Sequence, residues 1–442
     1  MNSSKKTLAL IGVFTICLLA VSTSLYSSFL SHKKADIQRS HIIPEKGCTF
    51  QTIFGETSSE GKALYNIPEN VQKAIQDGLT WIVKAQQENG GWGAGLHSRQ
   101  EVKDPHAVKT DPATSSMVAM ALLRSKSNLE EGEYSEQLSK ALHFILEEVE
   151  SSSPNSSNIT QATGTQIQAK LGKNIDVVLA TQFLSNIIDH TQHDQVLKER
   201  VLKCLNICTE KIQRHQESDG KTSGGGWAGV LQSSYANNAL ETAELKGAKV
   251  DKEKLKRSKE YQRDNYDVSS GNVKTTDGAG VMLYSISSSV RSTSKDARKV
   301  KEDIRKAKQE GILADSAEVN VLNLQKIGYS QDQALEQNTN YKVYEAAKNK
   351  SQTAEAIKGF GNNGGEEFLS FLQTGESMII NDDNDWKKWF DNTSGMLLAI
   401  QNQDGSWNGH HCITSPVFCT ATCLLTLSIN NDIEELTAVG KQ

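Results

Sequence analysis

Two short segments toward the C-terminus concentrate side chains that could do chemistry. Glu366 and Glu367 follow two glycines in GGEEF, and His410 and His411 precede Cys412 in GHHC. A carboxylate can accept a proton, and an imidazole, which titrates near neutral pH, can donate one. If the protein is an enzyme, these two carboxylates and two imidazoles are its predicted catalytic residues. In the alternative interpretation, the carboxylates cap a helix and the imidazoles hydrogen-bond the loop that carries them.

The cysteines allow three interpretations of the same region. Seven occur in the chain, at positions 17, 48, 204, 208, 412, 419 and 423. Zinc and copper accept thiolate and imidazole ligands, so His410, Cys412 and Cys419 are candidate metal ligands, although their spacing fits no closed zinc module. A disulfide between Cys412 and Cys419 would suit an oxidising compartment, and buried free thiols are the third alternative. No feature of the sequence indicates a nucleotide cofactor.

The elements that must position these residues alternate in character along the chain. From Ile67 onward, charged amphipathic segments are followed by short apolar segments rich in small residues, at a repeat of about fifty residues. The charged segments are 70–86, 134–151, 193–216, 251–264, 294–309, 332–348 and 385–401, and the apolar ones begin at 113, 176, 236, 277, 315, 366 and 417. No proline occurs from Asn155 to Ser415, which favours helices. The pattern predicts helical hairpins with an apolar inner ring and a charged outer ring.

Three tryptophans follow glycines at positions where an outer helix should end. Trp92 lies in QQENGGWG, Trp227 in SGGGWAG and Trp407 in QNQDGSWNG. Glycine supplies the positive φ of a tight turn, and an indole can fill the corner between two helices. We predict that all three tryptophans are structural plugs at these corners.

With these motifs the chain resembles the terpene cyclase and prenyltransferase-like α/α toroids, whose squalene cyclase members carry Gln-to-Trp repeats of this kind. The resemblance covers residues 67 to 430 and is clearest from Gln401 to Leu427. The segments TQIQAKLGKNIDVVLATQFL and GFGNNGGEEFLSFLQTGESMI also resemble poorly characterised exported bacterial repeat proteins. The resemblance implies an all-α fold, an α/α toroid of about six to seven helical hairpins.

The catalytic signatures of that family are altered or missing. The run closest to the Asp-x-Asp-Asp acid of triterpene cyclases, Asp382-Asp383-Asn384-Asp385, has a different order. No cysteine has the aspartate two positions before it that the zinc site of protein prenyltransferases uses, and no Gly-Cys-Gly-Glu-Gln thioester motif occurs. The sequence therefore favours a non-cyclase binding or scaffold protein of unknown ligand. The alternative is an extracytoplasmic enzyme, acid/base or metal-assisted, acting on a glycan or lipid-like substrate.

The toroid geometry predicts where the candidate residues meet. Every inner helix runs the same way, so the loops that precede the inner helices gather at one mouth. That rim would hold the glutamates and histidines named above together with Asp111, Asp176, Asp277 and Asp315. Several of these aspartates also suit helix caps, since Asp111 precedes a proline. The lysines that the same loops offer are Lys109, Lys170, Lys173 and Lys274.

The N-terminus predicts export. Lys5 and Lys6 precede an uncharged stretch that includes residues 7–30, and His32-Lys33-Lys34 closes it. Residues 1–34 are therefore predicted to be a signal peptide or an N-terminal membrane anchor, which places the body outside the cytoplasm, periplasmic or secreted. We predict a linker at 35–66, the toroid domain at 67–430 and a C-terminal tail at 431–442. The net charge of −5 argues against a nucleic-acid partner.

Overall fold

The computed structural model describes residues 67–222 and 224–441 and the backbone of two short strands. The strands β1 (Glu56–Thr57) and β2 (Ala63–Leu64) pair in an antiparallel ladder. The chain divides into two compact units, residues 1–66 and 67–442, and the described helices belong to the second. The predicted export element, residues 1–34, lies outside the described residues. Within the described part of the chain, no helix is long and apolar enough to span a bilayer.

Residues 69–441 form a series of helices. In chain order they are α1 (Glu69–Lys84), α2 (Pro112–Arg124), α3 (Ser135–Ser151), α4 (Gln166–Leu171), α5 (Ile175–Ile187), α6 (Gln195–Arg214), α7 (Gly229–Leu245), α8 (Lys252–Arg263), α9 (Met282–Gln309), α10 (Val321–Lys326), α11 (Gln331–Ser351), α12 (Gly365–Asn381), α13 (Trp386–Ala399), α14 (Pro416–Leu427) and α15 (Ile433–Lys441).

The apolar helices close into a ring. Helix α2 packs on α5, α5 on α7, α7 on α9, α9 on α12 and α12 on α14, and α14 returns to α2. Nearly every residue of α2, α7 and α14 is buried, because these helices have neighbours on all sides. This ring confirms the predicted all-α toroid, with six inner helices among the described residues.

The charged helices form the outer layer. Helices α1, α3, α6, α8, α11 and α13 each pack on an inner helix and expose their polar face. In α1, for example, Val71, Ala74, Leu79 and Ile82 are buried at intervals of three to five residues, and the intervening polar side chains meet solvent. The amphipathic pattern therefore gave the correct layer for these helices.

One predicted hairpin is absent, and the reason lies in α9. The segments beginning at 277 and 294 were expected to be separate helices, but MLYSISSSVRSTSKDARKVKEDIRKAKQ contains no glycine or proline and forms one helix, 282–309. The segment beginning at Asp315 does not enter the ring. It contains only the short α10, which packs on α11 and leaves Leu322 70% exposed. The ring therefore has six hairpins in the described residues.

Two tryptophan corners agree with the prediction. Trp92 and Trp407 are completely buried, and each donates its indole N–H to a backbone carbonyl in the helix before it, Ile82 and Leu397, at 2.8 Å. The backbone N–H of each tryptophan also donates to a hydroxyl of the following inner helix at 2.9 Å. Each tryptophan thus links the outer and inner helices of one hairpin, the outer helix through its indole and the inner helix through its backbone.

A glycine and a glutamine tie each corner to the next hairpin. Gly90, Gly220 and Gly405 have φ between 83° and 94°, and a Cβ on any of them would lie 2.2–2.6 Å from a backbone oxygen of the neighbouring outer helix. Only glycine fits both the left-handed conformation and the close approach. Four residues before each glycine, a glutamine donates to its carbonyl and to that same helix.

The third corner does not use the predicted tryptophan. Its turn glycine is Gly220, so the residue equivalent to Trp92 is Thr222, whose N–H donates to Ser233 Oγ at 2.9 Å. Trp227 lies five residues further on and is 61% exposed. The prediction that Trp227 is a buried plug is therefore wrong, because the glycines before it belong to a different part of the loop.

Candidate functional site

The segments GGEEF and GHHC lie side by side at the mouth of the ring. Gly365 N–H donates to Ile413 O at 2.9 Å, and His410 N–H donates to Asn363 O at 2.8 Å. A Cβ on Gly364 would lie 2.4 Å from two backbone oxygens of the 411–413 segment, so glycine is required for this contact. Glu366, in the first turn of α12, is thereby buried beneath the loop that leads to α14.

Cys412 is held in an unusual backbone conformation. Its φ is 65°, in the left-handed region that residues with a side chain rarely adopt. The backbone N–H of Cys412 donates to Gln100 Oε1 at 2.9 Å, which fixes the residue to the first hairpin. The side chain is nearly buried, with 8% of the residue exposed. Strained residues of this kind cluster at functional sites.

Two basic groups contact the Cys412 thiol. His411 Nδ1 lies 2.9 Å from Sγ, and Lys170 Nζ lies 3.5 Å from it. Lys170 is in the short helix α4, is only 4% exposed, and pairs with Glu366 Oε1 at 3.4 Å. Its ammonium also lies 5.8 Å from the centre of the Tyr284 ring. The cluster therefore joins four separate parts of the ring.

Burial and charge set the protonation of this cluster. Burial raises the pKa of Cys412, the Glu366 charge raises it further, and Lys170 opposes both. Burial, Lys170 and His410 lower the pKa of His411 below its usual 6.5. Burial also raises the pKa of Glu366, against the lowering effect of Lys170. At neutral pH, Cys412 is therefore a thiol beside an uncharged imidazole.

The other two predicted catalytic residues lie apart from the thiol. Glu367 accepts hydrogen bonds from Gly361 N–H at 3.1 Å and Asn363 Nδ2 at 3.4 Å, and burial raises its pKa to about 7. His410 is exposed and packs against the His411 ring, with ring centroids 5.8 Å apart. Of the four predicted residues, the structure thus brings Glu366 and His411 together around Cys412.

The predicted disulfide between Cys412 and Cys419 is not formed in this structure. Both are free thiols, as are Cys204, Cys208 and Cys423. Cys419 is completely buried, and its Sγ–H donates to Ile413 O at 3.4 Å while Cys412 faces Lys170 and His411. Burial raises the pKa of Cys419 far above its ordinary value. Cys419 is therefore a structural thiol in the wall of the ring.

Three of the four aspartates predicted at the mouth have structural partners. Asp111 caps α2 through Thr114 N–H at 2.7 Å, and Asp176 accepts from Ile159 N–H at 2.7 Å. Asp277 binds Lys221 at 2.9 Å and Tyr261 at 2.7 Å, whereas Asp315 is exposed. Burial nevertheless raises the pKa of Asp176 to about 7. In the Asp-Asp-Asn-Asp run, Asp383 pairs with Lys348 at 3.0 Å, as a structural residue would.

A metal ion would find three ligands in the cluster. Among the described residues, one oxygen of Glu366, one ring nitrogen of His411 and Cys412 Sγ lie within 4.8 Å of one another. This set differs from the predicted His410, Cys412 and Cys419. Zinc accepts such ligands, but the Lys170 ammonium contacts two of them and repels a cation placed between them. The residues therefore fit a metal only if Lys170 moves away or is deprotonated.

The sequence placed Lys170 among the lysines of the mouth loops without assigning it to the site, and it gave no indication of Tyr284. Lys170 is 242 residues from Cys412, and its helix begins with a capping box formed by Thr165 and Gln168. That capping box is a local signal that a helix starts there, whereas the inward direction of Lys170 comes from the tertiary packing.

Solved structures similar to this chain include the type II terpene cyclase MstE from Scytonema. The apo enzyme aligns over 83% of this chain and 100% of its own, with 13% sequence identity and a TM-score of 0.43. A variant in complex with the substrate geranylgeranyl dihydroxybenzoate aligns over 82% and 98%, with 12% identity and a TM-score of 0.42. No model of a known protein family matches the chain, and no curated protein matches it. The toroid fold of this chain follows from the closed ring of helices described above.

Proposed function

We propose that the protein is an enzyme that transfers acyl groups through the Cys412 thiol. The observation that carries this proposal is the position of Sγ between a base and a cation, with His411 Nδ1 at 2.9 Å and Lys170 Nζ at 3.5 Å. Nucleophilic cysteines are activated by an adjacent base or by nearby positive charge. The left-handed φ of Cys412 supports the proposal, because strain is retained where it serves a function.

The steps follow from the protonation states of the three groups. Neutral His411 takes the proton from Sγ as sulfur attacks the carbonyl carbon of an ester, thioester or amide. The Lys170 ammonium stabilises the negative charge that develops on the carbonyl oxygen, and Glu366 holds Lys170 in place. The leaving group departs with the proton from His411, which leaves a thioester on Cys412. Water or a second nucleophile then attacks the thioester and gives its proton to His411. The acyl group leaves with that nucleophile, the C–S bond breaks, and His411 returns the proton to Sγ, which restores the thiol.

The test is a burst experiment with p-nitrophenyl acetate, a small activated ester. The wild-type protein should release a burst of nitrophenol equal to the number of active sites and carry one acetyl group on Cys412. Cys412→Ser should lose the burst, and His411→Gln should slow it by about 100-fold or more, since the general base is gone. Cys419→Ser is the matched control, a buried cysteine of the same loop and helix, and should keep the burst. Acetylation that persists in Cys412→Ser would rule out this function.

A metal-assisted enzyme is the second candidate, favoured by the three ligand atoms within 4.8 Å. The Lys170→Met variant separates the two candidates. Removing the ammonium should slow acylation if Lys170 stabilises the oxyanion, whereas it should tighten zinc binding if Glu366, His411 and Cys412 are ligands. Stoichiometric zinc in the purified wild-type protein that is lost in Cys412→Ser would replace the acyl-transfer proposal with the metal-assisted one.

The location and the scaffold role remain proposals from the sequence. Residues 7–30 support an extracytoplasmic protein, secreted or anchored, in which the mouth meets substrates outside the cytoplasm. A non-catalytic binding or scaffold protein would give no burst in the experiment above but would still bind a ligand at the mouth.

A further inference from the structure

An exposed apolar surface lies beside the Cys412 cluster. Trp227 is 61% exposed, and Leu96 is 48% exposed on the neighbouring mouth loop. The His97 ring packs against Trp227 with centroids 5.6 Å apart and an interplanar angle of 77°. We call Leu96, His97 and Trp227 the mouth platform. An indole left in water forgoes the stabilisation that burial would give it, so a ligand that covers the indole would gain that free energy.

The glycines before Trp227 hold it close to Lys170. A Cβ on Gly226 would lie 2.2 Å from the Leu171 carbonyl, so only glycine lets this loop approach the end of α4. Trp227 N–H donates to Ala169 O at 3.4 Å, and the next N–H donates to Lys170 O at 2.7 Å. The backbone of Trp227 therefore runs along the helix whose lysine contacts the thiol.

A second connection runs through Gln100. Its Nε2 lies 3.2 Å from His97 Nδ1, and its Oε1 accepts the Cys412 N–H at 2.9 Å. One side chain thus contacts both the ring that supports Trp227 and the backbone of the proposed nucleophile. The mouth platform and the thiol are fixed to each other from two sides.

We infer that the mouth platform binds the hydrocarbon chain of an acyl substrate whose carbonyl carbon reacts at Cys412. This inference rests on the proposed acyl transfer, and it names the substrate class as a fatty-acyl ester, thioester or amide. The indole face of Trp227 and the Leu96 side chain are exposed apolar surfaces, and a hydrocarbon chain that covers them removes apolar area from water on both sides. The platform is connected to the Cys412 cluster through α4 and through Gln100. These two connections are the reason to expect that one substrate contacts both the platform and the thiol.

The catalytic test compares p-nitrophenyl acetate with p-nitrophenyl decanoate. The wild-type protein should have the higher kcat/KM with the decanoate. Trp227→Ala should lower kcat/KM for the decanoate by about tenfold and leave the acetate value unchanged, because only the long chain reaches the indole. Trp81→Ala, on the outer helix α1, and Leu322→Ala, an exposed leucine of α10, are the controls and should change neither value. An equal loss of kcat/KM with both esters in Trp227→Ala, or no loss with the decanoate, would overturn the inference that the platform binds the acyl chain.

A binding test separates this inference from the proposed function. Decanoate binding to the Cys412→Ser variant, measured by calorimetry, needs no catalysis. It should weaken by about tenfold when Trp227→Ala is added and should be unaffected by Leu322→Ala. Binding that depends on Trp227 would support the platform even if the burst experiment failed. Binding that ignores Trp227, or maltose binding that depends on it in place of decanoate binding, would overturn the inference even if the burst succeeded.

Discussion

Burial of carboxyl groups near the mouth has a measurable consequence at the scale of single residues. Glu366, Glu367 and Asp176 are each at most 2% exposed, and burial raises the pKa of all three. Glu366 has Lys170 as a counter-ion, whereas Glu367 and Asp176 have hydrogen bonds from backbone groups but no ion pair with a described residue. The last two therefore stay protonated up to about pH 7 in the folded protein.

Glu367→Gln should show this as a pH-dependent gain in stability. The pKa of Glu367 is about 7 when folded, against an ordinary value of 4.5, so the folded state holds the proton more tightly. The stability that this gives is fully present below pH 4.5 and is lost as the pH rises through 7. Glutamine does not ionise. The free energy of unfolding of the variant should therefore rise relative to that of wild type as the pH increases from 4.5 to 7, by up to the order of 3 kcal/mol.

Urea unfolding at about pH 5 and about pH 8 gives the measurement. Glu336→Gln, on the exposed side of α11, is the control. Its free energy of unfolding should differ from that of wild type by the same small amount at both pH values. A difference between Glu367→Gln and wild type that does not change with pH would contradict the raised pKa.

At the scale of elements, the corners show how one short motif is reused with different side chains. The Gln-to-Gly spacing of four recurs at Gln86, Gln216 and Gln401, with the same two hydrogen bonds from each glutamine. Two of the corners are filled by a completely buried indole, and the third carries Thr222 at the equivalent position. The turn is therefore specified by the backbone requirement for glycine, and the indole adds packing where space allows.

Trp407→Ala and Trp227→Ala should differ sharply in stability. Trp407 is completely buried and donates to Leu397 O, so alanine leaves a cavity and removes this hydrogen bond, at a cost of about 3–5 kcal/mol. Trp227 is 61% exposed, so its replacement should change stability by less than about 0.5 kcal/mol. Chemical denaturation of the two variants checks this, and similar losses would show that Trp227 also has a structural role.

At the scale of the whole molecule, the ring must close between the first and the last inner helix. Arg124, at the end of α2 away from the mouth, binds Glu376 on α12 at 2.6 Å, the Leu425 carbonyl on α14 at 2.8 Å and Asp432 at 2.5 Å. It is 8% exposed, and both acids hold the pKa of its guanidinium above the ordinary value. One side chain therefore binds three elements that lie some 250 to 310 residues after it in the sequence.

Arg124→Met should destabilise the whole toroid by about 3 kcal/mol, because it leaves two acids without their partner near the ring closure. Arg200→Met is the matched control. Arg200 also makes a two-bonded pair, with Glu150, but this pair lies between outer helices and is about one-third exposed, so its loss should cost less than about 1 kcal/mol. The free energy of unfolding of both variants is measured by urea unfolding. Equal losses would show that the contacts of Arg124 at the ring closure stabilise the protein no more than an ion pair between outer helices does.

The sequence by itself determined the layers and part of the site. Hydrophobic periodicity separates α1 from α2 and each later pair, because a helix enclosed on all sides must be apolar and one facing water must not. GGEEF and GHHC were predicted to meet, since they precede consecutive inner helices. Trp92 and Trp407 were identified as plugs from local sequence alone, because a turn glycine followed closely by a tryptophan is a pattern that suits a corner between two helices.

Only the tertiary structure decided which groups surround the thiol. Lys170 reaches Cys412 across 242 positions, and no local pattern encodes a contact made by closing a ring. The length of α9 was missed because composition changes at Ser294 while the backbone meets no glycine or proline that would end the helix. The exposure of Trp227 was missed because a run of glycines permits both a turn and a close approach, and only the neighbouring carbonyl of Leu171 distinguishes them. Local patterns fix what each segment can be, whereas the chemistry of the mouth depends on side chains that meet when the first and last hairpins come together.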